Sequence, residues 1–377
     1  MSERPSLRTA QRIVVKTGSA LIAAGGRPRT DWLAGLVSDI VTLRNRGLDV
    51  LLVTSGAIAL GRDALGPARP RKLEEKQAAA AFGQTVLMQA LDAAFAPHGV
   101  GVAQSLLTLD DTEMRRRWLN ARATLDTILS AGGLPVINEN DTVATDEIRY
   151  GDNDRLAARV AQMVSADTLV LLSDIDGLYT CDPRTMPGAA HIGEVTEITT
   201  AHAQLAGGAN REGQVGSGGM ATKLAAARIA FGAGCRTVIT LGDRERPLLG
   251  LEDGARATWF LPPLSPLSAR RAWLESHLSP EGAVLVDAGA AKALCETGAS
   301  LLPVGVVGVE GHFERGAAVA VRGPGGQAIA KGVTAYASAD IAGIAGLHSD
   351  AVEAKLGYRG RPAVIHRDDL VLLEGLK

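Results

Sequence analysis

Along the first two-thirds of the chain, short apolar runs alternate with stretches whose apolar positions recur every three or four residues. The runs at 12–15, 50–54, 100–107, 134–137, 168–172 and 237–241 are rich in Val, Ile and Leu at consecutive positions, the pattern of strands buried on both faces. Between two of them, Leu33, Leu36, Val37, Ile40 and Leu43 form the apolar stripe of a helix, with Thr30 as its N-cap and Gly47 as its stop. Strand and helix in alternation predict βαβ units, and so a mainly parallel open sheet sandwiched by helices. Ligands of such sheets gather beyond the carboxyl ends of the strands, so the residues that follow each run carry the chemical interest.

The texture changes near residues 261–280, where proline-rich LPPLSPLS leads into ARRAWLESHLSP, a connector helix. Beyond it, AVLVDAG, LLPVGVVGVEG, AAVAVRGPGG, AIAKGVTAY and IHRDDLVLL read as short strands punctuated by glycine, a small β-rich barrel or sandwich. The expected organisation is an α/β domain over 1–260, a linker over 261–280 and a β-rich domain over 281–377.

A chain of 377 residues with 46% hydrophobic and 21% charged residues has room for these two cores and is neither disordered nor membrane-like. Its net charge of −2 provides no global field for nucleic acid or anionic lipid. Cys181, Cys235 and Cys295 lie far apart without metal-binding or redox spacing, which suits a reducing compartment. The polar start MSERPSLRTAQ does not resemble a signal peptide, and no apolar stretch reaches membrane-spanning length, so the expected location is the cytoplasm. Of 39 basic residues only 8 are lysines, which draws attention to a lysine inside a glycine-rich motif.

Five segments, four of them at strand ends, hold candidate chemistry. In VVKTGS, Lys16 leaves a buried strand into a Gly/Ser turn, where an ammonium beside free N–H groups suits a phosphate; a solvated lysine at a strand end is the plain alternative. VTSGAIA places Ser55 before a small-residue helix start that favours an anion, or is simply a capped turn. INEND and GDND crowd Glu139, Asp141, Asp152 and Asp154 with Asn138, Asn140 and Asn153. Such a cluster needs an organising partner: a substrate ammonium, a lysine or Mg2+. SDIDGLYTCDP, with Ser173 and Asp174, is a strand end suited to a nucleotide's base and ribose, or an Asp-rich surface turn. GSGGMATK lacks both the P-loop spacing and a preceding buried strand, which leaves a backbone nest at a helix start with Lys223 one turn in, fit for the β/γ phosphates of ATP.

Taken together, KTGS, VTSGAIA, INENDTVAT, GDND, SDIDGLYTCDP and GSGGMATK resemble the amino acid kinase family from about Arg12 to Leu261, and the C-terminal part resembles a PUA domain. Their wording is most similar to the members that phosphorylate the γ-carboxylate of L-glutamate to L-glutamyl 5-phosphate, the first step of proline synthesis. The resemblance implies catalytic roles for Lys16 and Lys223, with Asp154 orienting them, and glutamate binding by Ser55, Asp141 and Asn153. It implies ATP binding by Lys16, Ser173, Asp174, Ser217, Gly218, Gly219, Met220, Ala221, Thr222 and Lys223. Mg2+ is expected on the nucleotide phosphates, with no metal ligands from the protein. It also implies a homo-oligomer (dimer or tetramer), feedback by proline at the glutamate site, and glutamyl phosphate reductase as a partner. Thr17, Ser19-Ala20 and Ser217 depart from the residues common in relatives and touch only fine contacts.

A γ-carboxylate, with a reference pKa of about 4.3, is already a nucleophile at neutral pH and needs no general base. In keeping with that, all 7 histidines fall outside the five segments. Two other readings are weighed. An acetylglutamate kinase is disfavoured by the acidic INEND–GDND cluster, because an acylated amine carries no charge to pair with it, and aspartate kinases resemble this chain less in these motifs and usually carry a different regulatory tail. RNA binding through the PUA-like domain would use Arg315, Arg322, Lys331, Arg359, Arg361 and Arg367, but acidic residues interleave with these and aromatics for stacking are few.

Overall fold

The computed structural model describes residues 5–66, 70–144, 153–207, 219–277, 279–358 and 360–373. The chain folds as two compact units, Met1–Pro266 and Leu267–Lys377.

In the first unit one sheet holds β1 (Arg12–Lys16), β2 (Asp49–Val53), β3 (Val102–Leu107), β4 (Leu134–Glu139), β5 (Thr168–Ser173), β6 (Glu194–Val195), β7 (Arg236–Leu241) and β8 (Ala257–Phe260). All six apolar runs form strands, and β6 and β8 add to them. The order across the sheet is β6-β8-β7-β5-β1-β2-β4-β3. Every neighbouring pair is parallel except β7 with β8.

The consecutive apolar residues are explained by burial on both faces. Ile13, Val15, Val50, Leu52, Val136, Val170 and Leu172 point into one core, which α1 (Thr30–Asn45) and the far end of a long helix (Leu73–Phe95) cover with Leu33, Leu36, Leu87, Leu91 and Phe95. Val14, Leu51, Val53, Ile137, Leu169 and Leu171 point into the other, with Leu125, Leu156, Val160 and Leu224 from the helices on that side. This period-2 alternation onto two helix layers is what a parallel sheet demands. Strand β3, at the sheet's edge, is the least buried of these long strands.

The boundary of α1 differs in one respect from expectation. Arg29, not Thr30, is the N-cap, because its carbonyl accepts the first helical bond, from Leu33 N–H at 2.9 Å; Thr30 is the first helical residue. Gly47 ends the helix at φ +88°, where a side chain would be strained.

The second unit begins within the connector helix Pro266–His277, at its second residue. Its five-stranded sheet contains β9 (Gly282–Val286), β10 (Val306–Glu310), β11 (Ala318–Arg322), β12 (Ala328–Val333) and β13 (Leu370–Leu372) in the order β10-β9-β11-β12-β13. Only β9 and β11 pair in parallel. Each glycine-punctuated piece supplies one strand, while the helices Ala288–Thr297, Ser338–Ile344 and Ser349–Leu356 are not foretold by that texture. Phe313, Val319, Tyr336 and Ile341 lie at the heart of its separate core.

Candidate active site

The strand order makes β1 the switch point: β2, β4 and β3 lie to one side, β5, β7, β8 and β6 to the other. A crevice opens beyond the carboxyl end of such a strand. Lys16 is the last residue of β1, in register with Val53 and Leu171, so it stands at that opening. Since β1, β2, β4, β5 and β7 run in parallel, Lys16, Thr54-Ser55, Asn138-Glu139, Ser173 and Gly242 all gather at one edge of the sheet.

Two helices start there. The helix α2 (Asn153–Met163) opens with Asn153 and Asp154, and α3 (Met220–Gly232) carries Thr222 and Lys223 in its first turn. Leu156 and Val160 of α2 share a core with Leu224 and Ala227 of α3, which holds the two starts together. Asp154, only 1% exposed, lies between the lysines: Lys16 Nζ is 2.6 Å from Oδ1 and Lys223 Nζ is 3.1 Å from Oδ2. Thr222 Oγ1 is 3.1 Å from the same Oδ2 and 2.8 Å from the Gly219 carbonyl, which share its single hydrogen. Burial alone would raise the Asp154 carboxyl; Lys16 and then Lys223 outweigh it and hold the pKa below the usual range. The trio carries more positive than negative charge, and two helix N-termini add to the attraction for an anion.

Asn153 faces a second, adjoining network. Its Nδ2 lies 2.6 Å from the Thr54 carbonyl, 2.9 Å from Ser55 Oγ and 3.0 Å from Asn138 Oδ1. Ser55 enters the turn at Gly56, whose φ of +98° excludes most side chains. Thus the consecutive residues Asn153 and Asp154 join an amide cluster to a lysine cluster. Asp141 sits two residues past β4, and burial pushes its pKa up to about 6. Ser173 is buried beside β7, its carbonyl bonded to Gly242 N–H at 2.7 Å; Asp174 turns outward, 3.6 Å from Arg184. Gly219, Met220 and Ala221 form the helix start itself, whereas Ser217 and Gly218 lie outside the described residues.

Nothing local to INEND distinguishes Asn138, and its central place in the amide cluster appears only in three dimensions. Gln84, its partner at 2.8 Å, belongs to none of the five segments and has no local signal. A cavity of about 500 Å³ opens at the opposite end of the sheet, lined by Leu7, Arg8, Gln11, Arg46, Leu48 and Glu252 among others. Its charges pair with one another: Arg46 reaches Glu252 at 2.8 Å and Arg8 does so at 3.7 Å.

The sequence profile of the amino acid kinase family matches residues 11–240, the stretch that reaches every strand of this sheet but β8 and holds all of the lysine-carboxylate cluster. The chain belongs to the amino acid kinase family. The PUA domain profile matches residues 282–356 of the second unit. Among relatives of this family member, glutamate 5-kinase of Caulobacter vibrioides strain NA1000 is 58% identical over 370 residues, covering 97% of this chain and 98% of the relative. Glutamate 5-kinase of Paramagnetospirillum magneticum is 54% identical, covering 97% and 99%. That of Paracoccus denitrificans is 53% identical, covering 98% and 99%.

Proposed function

We infer that this chain is a glutamate 5-kinase, transferring the γ-phosphoryl group of ATP to the γ-carboxylate of L-glutamate in the first step of proline biosynthesis. The observation that carries the chemistry is a single buried carboxylate, Asp154, holding two buried ammonium groups at the switch point of the sheet. Near-full-length similarity to glutamate 5-kinases supports the substrate.

A carboxylate oxygen of glutamate attacks the γ-phosphorus while the bond to the β-γ bridging oxygen breaks, leaving glutamyl 5-phosphate and ADP. The nucleophile is ionised before it binds, so no proton has to move. Lys16 and Lys223 offset the repulsion between two anions and stabilise charge on the transferring group. Asp154 keeps both ammonium groups in place, and Thr222 braces it. Ser173 and Asp174, with Ser217, Gly218 and the residues 219–223 at the start of α3, hold the nucleotide. Mg2+ supplies further charge neutralisation on the phosphates; among the described residues no group of three His, Cys, Asp or Glu is arranged to cage a metal, and the chain's own donors here are ammonium and N–H groups. Ser55, Asp141 and Asn153 hold the amino acid, with the Asp141 carboxylate opposite its ammonium. The same reading includes proline as a feedback inhibitor at the glutamate site, a homo-oligomer, and delivery of the product to glutamyl phosphate reductase.

The test is glutamate-dependent ADP release with the acyl phosphate trapped by hydroxylamine as the hydroxamate, run beside aspartate and N-acetylglutamate and with added proline. Hydroxamate from glutamate, and far less from the other two, is expected. Turnover with N-acetylglutamate but not glutamate would overturn the assignment.

A further inference from the structure

The helix Leu73–Phe95 carries none of the five segments, yet it abuts the amide cluster. It meets the short helix Ala57–Gly61 backbone to backbone: a Cβ on Gly83 would stand 1.7 Å from the Ala57 carbonyl oxygen, and one on Gly61 1.9 Å from that of Ala79. Only glycine at both positions permits this approach. Gln84 follows Gly83, and its Oε1 accepts from Asn138 Nδ2 at 2.8 Å.

The amide orientations follow from groups that have only one hydrogen-bonding role. The backbone N–H of Glu139 can only donate, and it points at Asn138 Oδ1 from 2.9 Å, so the other terminal atom of Asn138 is its NH2. That NH2 requires an acceptor, which turns the oxygen of Gln84 toward it. The Thr54 carbonyl can only accept, so the Asn153 atom 2.6 Å from it is NH2, and the same group donates to Asn138 Oδ1. The Asn153 oxygen is therefore forced to the other side. There it is buried without a hydrogen-bond partner among the described residues, as is Gln84 Nε2. A buried acceptor left open costs about 1–3 kcal/mol, which a bound donor recovers.

We propose that Gln84 is a positioning residue for the substrate amine: acting through Asn138, it holds in place the Asn153 amide, whose oxygen is turned to receive the ammonium of the amino acid. The proposal rests on the reading of this site as a glutamate kinase. Without the Gln84 acceptor, Asn138 is anchored through its Oδ1 alone; the Thr54 carbonyl still sets which way the Asn153 amide faces, but that amide loses the fixed partner that holds it in position. The phosphoryl-transfer cluster is held by its own bonds, those of Asp154 to Lys16, Lys223 and Thr222, and is left intact.

Steady-state kinetics on the full-length protein test it. Gln84→Met keeps the length but removes the acceptor; glutamate KM should rise about tenfold, the equivalent of one typical hydrogen bond, while kcat and ATP KM stay within about two-fold. Gln84→Glu keeps the acceptor and should hold glutamate KM within about three-fold of wild type. In the Asn138→Asp background Gln84 has to donate instead, so there Gln84→Glu should become harmful. That reversal of sign, which a merely structural role would not produce, decides the matter even where Gln84→Met fails to fold. An unshifted glutamate KM in a folded Gln84→Met, or equal effects of Gln84→Glu in both backgrounds, would overturn the role alone. A wild-type protein with no glutamate-dependent turnover would overturn the functional reading, and the role with it.

Discussion

Asp154 illustrates how much one side chain can depend on its partners. A carboxylate at 1% exposure is tolerable only because Lys16 and Lys223 stand 2.6 and 3.1 Å away. Asp154→Asn leaves two buried ammonium groups facing one neutral amide, and should destabilise the protein by about 3–5 kcal/mol, read as a lowered urea midpoint. Its folded pKa is depressed, so the stability it contributes is present above the unfolded value of about 3.9 and is lost as the pH falls through the lower folded value. Either Lys16→Ala or Lys223→Ala should lower kcat about 100-fold or more with little change in glutamate KM. Asp141 runs the other way. Burial holds its carboxyl at about 6, so ionisation costs stability as the pH rises from the unfolded value through 6. An ammonium ligand favours the ionised form, and glutamate KM should therefore climb as the pH drops below about 6. That dependence should disappear in Asp141→Asn, which will itself bind glutamate weakly; a wild-type KM that is flat between pH 5 and 7 would count against the assignment.

Among the elements, the starts of helices α2 and α3 decide the chemistry. Lys223 in the first turn of a helix faces an unfavourable dipole, and the Asp154 carboxylate in the first turn of the neighbouring helix compensates it. The helix Leu73–Phe95 is the other decisive element, because its contact at Gly61 and Gly83 sets how near Gln84 comes to Asn138. Gly83→Ala should cost about 1–3 kcal/mol through overpacking, despite the better helix propensity of alanine, and should raise glutamate KM. An increase in melting temperature with an unchanged KM would show that the two helices separate without consequence. Element types were legible from the chain where, as in β1, β2, β4, β5 and β7, the strand is a largely apolar run buried on both faces; β6 and β8 have no such run and were not legible. The cap of α1 was misplaced by one residue, since Arg29 has none of the short polar side chains by which caps are recognised.

Across the whole molecule, the two ends of the sheet have different work. At the amino end Arg12 gathers Asp49 and Asp126, at 2.8 and 2.9 Å, with the Val164 carbonyl at 2.8 Å, and pins strands to helices. Arg12→Leu should lower the melting temperature and leave glutamate KM and kcat at neutral pH unchanged; altered kinetics would mean that strain crosses the sheet. No described helix is long and apolar enough to cross a membrane. The α/β class, six of the eight strands of the first sheet, the second domain's strand-bearing pieces and the scarce lysines in glycine-rich turns were readable in one dimension, because backbone pattern and residue chemistry are local properties. Which groups meet was not. Lys16 and Lys223 are brought to one carboxylate by the order in which parallel strands assemble, and Gln84 reaches Asn138 only because two glycines let two helices touch. Contacts between residues so far apart along the chain depend on packing, and no local pattern records packing.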